Sequence, residues 1–468
     1  MRILTTSTPM RRTILLGSAL FIGLAAVGGI AESFAEPFTP TPTSRPASLS
    51  GSAPAISGAP NSPSNDITAA IPRSTPSPIV RSALKSGLDA LSNKDGAEAL
   101  SIRDSMAQGL DRHMLTWSIA MSGLPDVPST EIVNARKELK GWPGLSALRA
   151  NTERAVYREN PPAADVIAAL GTTKPETPEG TIIVARALVA RNEQAKAATL
   201  IKDLWHETVL EPSLEDRILS EFSGSLTAAD HKARMDYLMY RGRNAQAKRF
   251  ATLGGAQSLY IAWNATISRS PKAANLIKAV DSRWASDPAL LFVRIEYERR
   301  QENFEAAAKL LAQAPKDSAK LVVPSEWWNE QRIVGRGLAE NGKYQLAYQV
   351  VARHCATATV DIVDAEFHAG WFALRGLKDP KTAAVHFKRI LEASNRPLSA
   401  SRGYYWLGRA EEAQRNTEAA RENFAKAANY PGTFYGQLAA ARLNREKLDI
   451  VYPAPTPEDR QDFASRES

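Results

Sequence analysis

The chain has 468 residues, of which 44% are hydrophobic and 23% charged, with a formal net charge of +8. This is more chain than one ordinary globular core uses, and a mean hydropathy of −0.29 argues against a protein of many membrane spans. The isoelectric point of about 9.4 favours anionic partners, yet no Lys/Arg run is interleaved with aromatics, which argues against nucleic acid.

Taken from the N-terminus, Arg11 and Arg12 precede an apolar run, residues 13–30, and Ser33 and Ala35 follow at the −3 and −1 positions of a cleavage site. That order predicts a secretory signal peptide over 1–35 and a periplasmic address; an uncleaved anchor is the alternative. Residues 36–80 are rich in Pro, Ser, Thr and Ala. Few large apolar side chains are available there to offset ordering entropy, so a disordered linker is expected.

From residue 81 to 443 apolar residues recur at three- and four-residue spacing, the signature of helices. The β-branched run at 181–190 continues into an alanine-rich helical pattern. Polar turns interrupt the helices at Arg191-Asn192, Arg243-Asn244, Glu302-Asn303, Asn341-Gly342, Lys378-Asp379 and Arg415-Asn416. The last four are spaced close to the period of a helix-turn-helix repeat. Asp287-Pro288 and Asp379-Pro380 place a capping carboxylate before a proline suited to the first helical position. Asn303 and Asn416 are further candidate caps. Within 404–428, Trp406, Leu407, Gly408 and Ala410 match the first helix of a tetratricopeptide-like unit, and Ala420, Phe424 and Ala427 match the second. Trp371, Ala384 and Phe387 hold similar places one repeat earlier. The predicted fold is therefore all-α, a superhelix of stacked helix pairs.

Candidate functional residues are few. Trp327, Trp328, Trp371 and Trp406 have faces suited to stacking on sugar rings, although at helical repeat positions inter-helix packing is the preferred reading. His113, His206, His231, His354, His368 and His386 are scattered without metal-ligand spacing, and no nucleotide-binding glycine motif occurs, so no metal and no cofactor is expected. Cys355 is expected to be a buried helix cysteine.

Four segments carry a resemblance: EWWNEQRIVGRGLAENGKYQLAYQVVARH (326–354), DAEFHAGWFALRGLKDPKTAAVHFKRIL (364–391), YYWLGRAEEA (404–413) and YPGTFYGQLAAARL (430–443). With EFHAGW, YYWLGRA and FYGQLAAARL in this order, the stretch resembles the end of the superhelical domain of soluble lytic murein transglycosylases. The resemblance implies a periplasmic protein associated with peptidoglycan. In that family a separate lysozyme-like domain cuts the MurNAc–GlcNAc bond and leaves a 1,6-anhydromuramoyl end, with one glutamate serving as acid and then base. The family's G-L-M-Q loop does not occur here, and the only Glu-Ser after the repeats is Glu467-Ser468, so no catalytic residue is expected and the chain is expected to be inert. Residues 444–468 are expected to form a tail leading toward a catalytic domain that is absent. Tyr435, Gly436, Gln437 and Arg442 lie where the superhelix would hand over to that domain, and so are candidate docking residues. Peptidoglycan strands, and cell-wall enzymes, are the implied partners; a free-standing periplasmic scaffold for proteins is the rival expectation.

Overall fold

The computed structural model describes residues 78–171, 174–445 and 454–465. The expected signal peptide, all but the last residues of the expected linker, and Glu467-Ser468 lie outside the described residues. Among the described residues all regular structure is helical: 23 α-helices, three short 3-10 turns and one π-helical turn. Successive helices form hairpins, each packed on the next. The clearest are Ala228–Tyr240 with Asn244–Leu253, Pro288–Arg300 with Phe304–Leu311, and Pro324–Glu340 with Tyr344–Val351. Thr359–Trp371 with Pro380–Ala393, and Pro397–Ala413 with Thr417–Ala428, continue the series. Phe434–Arg442 closes it, and a separate helix follows at Pro457–Ser465.

The hairpin turns share one construction. Asn192, Gly242, Glu302, Gly342 and Arg415 each take a left-handed conformation, with φ between 60° and 75°. The next N–H reaches back five residues to close the helix: Glu193 to Leu188 O at 2.8 Å, Arg243 to Leu238 O at 2.8 Å, Asn303 to Glu298 O at 2.9 Å, Lys343 to Leu338 O at 2.8 Å and Asn416 to Glu411 O at 2.9 Å. This satisfies carbonyls the helix end would leave bare. The Lys378 turn differs. The preceding helix widens into a π turn at Phe372–Gly376, so Asp379 N–H reaches Ala373 O at 2.9 Å.

Capping follows the sequence in part. Asp287 accepts from Ala289 N–H at 2.8 Å and Asp379 from Thr382 N–H at 3.0 Å. Asn303 and Asn416 do occupy N-cap positions, but their side chains turn away. Their Nδ2 groups donate to Glu298 at 2.9 Å and Glu411 at 2.8 Å, binding the turn back to the first helix.

Inside the hairpins Thr359–Trp371 with Pro380–Ala393 and Pro397–Ala413 with Thr417–Ala428, a glycine of the first helix faces a phenylalanine of the second. A Cβ on Gly408 would stand 2.7 Å from Phe424 Cε1, and one on Gly370 2.5 Å from Phe387 Cε1. The missing side chains let the paired helices approach closely enough for both rings to be buried. The main core runs from Ile182 to Phe372 through Trp205, Phe250 and Trp263, with smaller cores on either side.

Candidate functional site

The four candidate tryptophans divide. Pro324 starts the Pro324–Glu340 helix, which is clasped between the pairs before and after it, so adjacent residues both point inward. Trp327 is 2% and Trp328 3% exposed. Trp327 Nε1 donates to Leu321 O at 3.1 Å, and its ring meets Phe292 edge-on at 5.2 Å. Trp328 Nε1 donates to Asp364 Oδ2 at 3.3 Å. Neither indole offers a face to a sugar. Trp371 is half-buried against Phe372. Trp406 is half-buried too, in the different surroundings given below.

Three of the histidines that look scattered in sequence are brought together around Trp328 and Glu366. The Trp328 ring lies edge-on to His354 at 6.0 Å and to His368 at 5.8 Å. Glu366, 5% exposed, accepts from His386 Nδ1 at 2.5 Å and from His354 Nε2 at 3.2 Å, with Arg389 Nη1 at 3.5 Å. Tyr348 Oη and His386 Nε2 share a hydrogen bond at 3.1 Å. Burial raises the Glu366 pKa, but the hydrogen bonds from His354 and His386 outweigh it and hold the carboxyl at about 2. His368 donates from Nδ1 to Asp364 O at 2.7 Å and accepts from Arg336 Nε at 3.1 Å, the pattern of a neutral ring; burial lowers its pKa in keeping. The contacts are hydrogen bonds rather than a ligand set, and among the described residues no group of three or more His, Cys, Asp or Glu is arranged to hold a metal ion. His113, His206 and His231 lie in earlier repeats; His113 faces Glu138 and His206 faces Asp230.

Cys355 is not in a helix. It sits half-buried in the loop after Tyr344–Val351, with Sγ 3.2 Å from Lys316 O, and burial raises its thiol pKa.

A second group forms on the first helices of the last repeats. Arg402 and Trp406, one turn apart on Pro397–Ala413, share a helix face. The Arg402 guanidinium carbon lies 4.9 Å from the centre of the Phe367 ring. Trp406 packs on Phe367 at 5.9 Å, Phe387 at 6.0 Å and Tyr435 at 6.5 Å. Arg402 Nε and Trp406 Nε1 are both buried without a hydrogen-bond partner. Phe367, Arg402, Trp406 and Tyr435 are all only half-buried, so the group is open to solvent on one side. Nothing in the spacing of single residues marked Arg402. The available signal was its i, i+4 relation to Trp406 on a helix already rich in aromatics.

Of the candidate docking residues, only Tyr435 joins this group. Gly436 is buried; Thr433 Oγ1 accepts its N–H at 3.0 Å, and a Cβ there would strike Tyr430 O. Gln437 is exposed and donates to Pro431 O at 3.2 Å. Arg442 pairs with Glu412 at 2.7 Å and lies over Phe424, holding the last helix to the pair before it. Phe434, 67% exposed, is a neighbour that the sequence did not single out. Two surface hollows lie elsewhere, on the turns at Lys378, Asp379, Gln414 and Asn416 and at Glu302, Asn303, Asn341 and Lys343.

Fold and site together define a helical-repeat protein with a cationic and aromatic face on its last first-position helices. No protein-family model matches the chain, and no curated protein matches its sequence. Among solved structures it is similar to the 70-kDa soluble lytic transglycosylase from Escherichia coli, at 15% identity and a TM-score of 0.47, over 81% of this chain and 60% of that one. The same figures hold for a complex of the 70-kDa soluble lytic transglycosylase with bulgecin A. A looser likeness, at 10% identity and a TM-score of 0.22, is to the APC/C hetero-tetramer Cut9-Hcn1, over 78% of this chain and 84% of that one. The chain thus spans about 60% of the length of the transglycosylase. Among the described residues no helix is long and apolar enough to cross a membrane.

Proposed function

We propose that this chain is the peptidoglycan-associated superhelical region of a periplasmic lytic murein transglycosylase, and that it binds and positions glycan rather than cutting it. One observation carries this reading. EFHAGW, YYWLGRA and FYGQLAAARL, far apart in sequence, contribute Phe367, Trp406 and Tyr435 to a single half-open group beside Arg402. Aromatic faces suit the C–H faces of pyranose rings, and a guanidinium suits an anionic polymer. Cleavage of the MurNAc–GlcNAc bond is assigned to no residue described here. Export by residues 1–35, an extended linker over 36–80 and docking of a further domain near Tyr435 belong to the same proposal.

Incubation with purified sacculi tests it. Retention that falls with added salt supports the reading. Retention only when a second protein is supplied favours a protein scaffold instead, and release of anhydromuropeptides by the chain alone would overturn the assignment to binding.

A further inference from the structure

Among the described residues, the buried Arg234 and several part-buried arginines are matched to carboxylates. Glu131 pairs with Arg103 at 2.6 Å, Glu215 with Arg234 at 2.5 Å, Glu330 with Arg299 at 2.6 Å and Glu296 with Arg300 at 2.7 Å. Arg402 has no such match. Among the described residues it makes no hydrogen bond and no ion pair; its one specific contact is the Phe367 ring. Burial lowers its pKa, opposed only through space by the Tyr435 phenol and the Asp364 carboxylate. A part-buried cation whose Nε is shut off from water without an acceptor gains when an anion arrives to complete it. One turn along the same face, Trp406 leaves a second buried donor, Nε1, unused.

We propose that Arg402 and Trp406 form a carboxylate-binding subsite for a carboxylated sugar. Arg402 takes the carboxylate, Trp406 Nε1 supplies a further donor, and the Phe367 and Tyr435 rings flank the sugar. This rests on the glycan-binding reading above for the choice of sugar, whereas the need for an anion rests on Arg402 itself. The guanidinium donates in a planar fork that matches a carboxylate. The rings beside it favour a ligand with an apolar C–H face over a bare ion.

The test is calorimetric titration of the intact chain with the GlcNAc–MurNAc disaccharide, which carries a lactyl carboxylate, and with chitobiose, which lacks one. We expect saturable binding of the first and at least about tenfold weaker binding of the second. Arg402→Met should weaken the disaccharide at least about tenfold without lowering the melting temperature, since it removes an unmatched part-buried cation. Trp406→Phe, which keeps an aromatic ring but removes the N–H, and Arg402→Lys, which keeps the charge but loses the fork, should each weaken it by several-fold. These two variants carry the test if Arg402→Met does not fold. Absence of binding, equal binding of chitobiose, or unchanged affinity in the variants overturns the subsite. Displacement by acetate or an acetylated dipeptide at the same concentration overturns the sugar assignment. Failure here with sacculus retention intact leaves the wider reading standing; disaccharide binding at Arg402 without sacculus retention does the reverse.

Discussion

Arg234 and Glu215 form an ion pair that water does not reach: both side chains are fully buried, and Arg234 Nε donates to Glu215 Oε1 at 3.0 Å. Arg234 Nη1 also donates to Trp205 O at 2.9 Å, and Thr208 O is a further acceptor. The pair ties three successive helices across a turn. Removing one member leaves the other charge uncompensated, so Glu215→Ala should destabilise the fold by about 3–5 kcal/mol. A double substitution to apolar residues of similar volume should recover most of that loss in chemical denaturation. Recovery no greater than in the single variant would show that the hydrogen bonds to Trp205 and Thr208, not the charge pairing, hold the helices.

Glu366 predicts acid sensitivity. Its folded pKa of about 2 lies below the ordinary carboxyl value of 4.5. The folded state therefore binds fewer protons than the unfolded one between these limits, and stability from this group is full above pH 4.5 and lost as pH falls toward 2. Glu366→Gln should flatten the melting-temperature profile in that window. At neutral pH it should cost about 1.5–3 kcal/mol, the range for hydrogen bonds to a charged group. A variant with the unaltered acid profile would show that the sensitivity lies elsewhere.

The Gly408–Phe424 approach should be tight enough to reject a methyl group. Gly408→Ala is expected to cost about 1–3 kcal/mol through overpacking. Combining it with Phe424→Leu should cost less than the sum of the two single changes, because the shortened side chain makes room. Additive losses would indicate that the two residues act independently.

Arg415 holds a left-handed backbone with φ of 66°, a conformation unfavourable for residues with a Cβ. Arg415→Gly should relieve that strain, partly offset by the greater freedom of glycine in the unfolded chain. The net expectation is stabilisation by up to about 1 kcal/mol, seen as a raised melting temperature. The matching change at Gly342, Gly342→Ala, should lower it.

Sequence alone determined what depends on neighbours along the chain. Helical periodicity, the polar turns, the Asp287 and Asp379 caps and the assignment of Gly408 and Phe424 to the two helices of one repeat are all set within one or two helices, so they were legible from spacing; that the two meet face to face was not. Tertiary structure decided the rest. Asn303 and Asn416 sit where caps belong, but each carries an amide that a nearby glutamate captures. Whether a tryptophan faces solvent or core depends on which helices clasp it, which buried Trp327 and Trp328 and left Trp406 half-open. His354, Glu366 and His386 meet across 12 and 20 residues, and Arg402 lacks a carboxylate only because of what the adjacent repeats place around it. Spacing reports which face of a helix a side chain occupies; only the packing of successive repeats determines what that face meets.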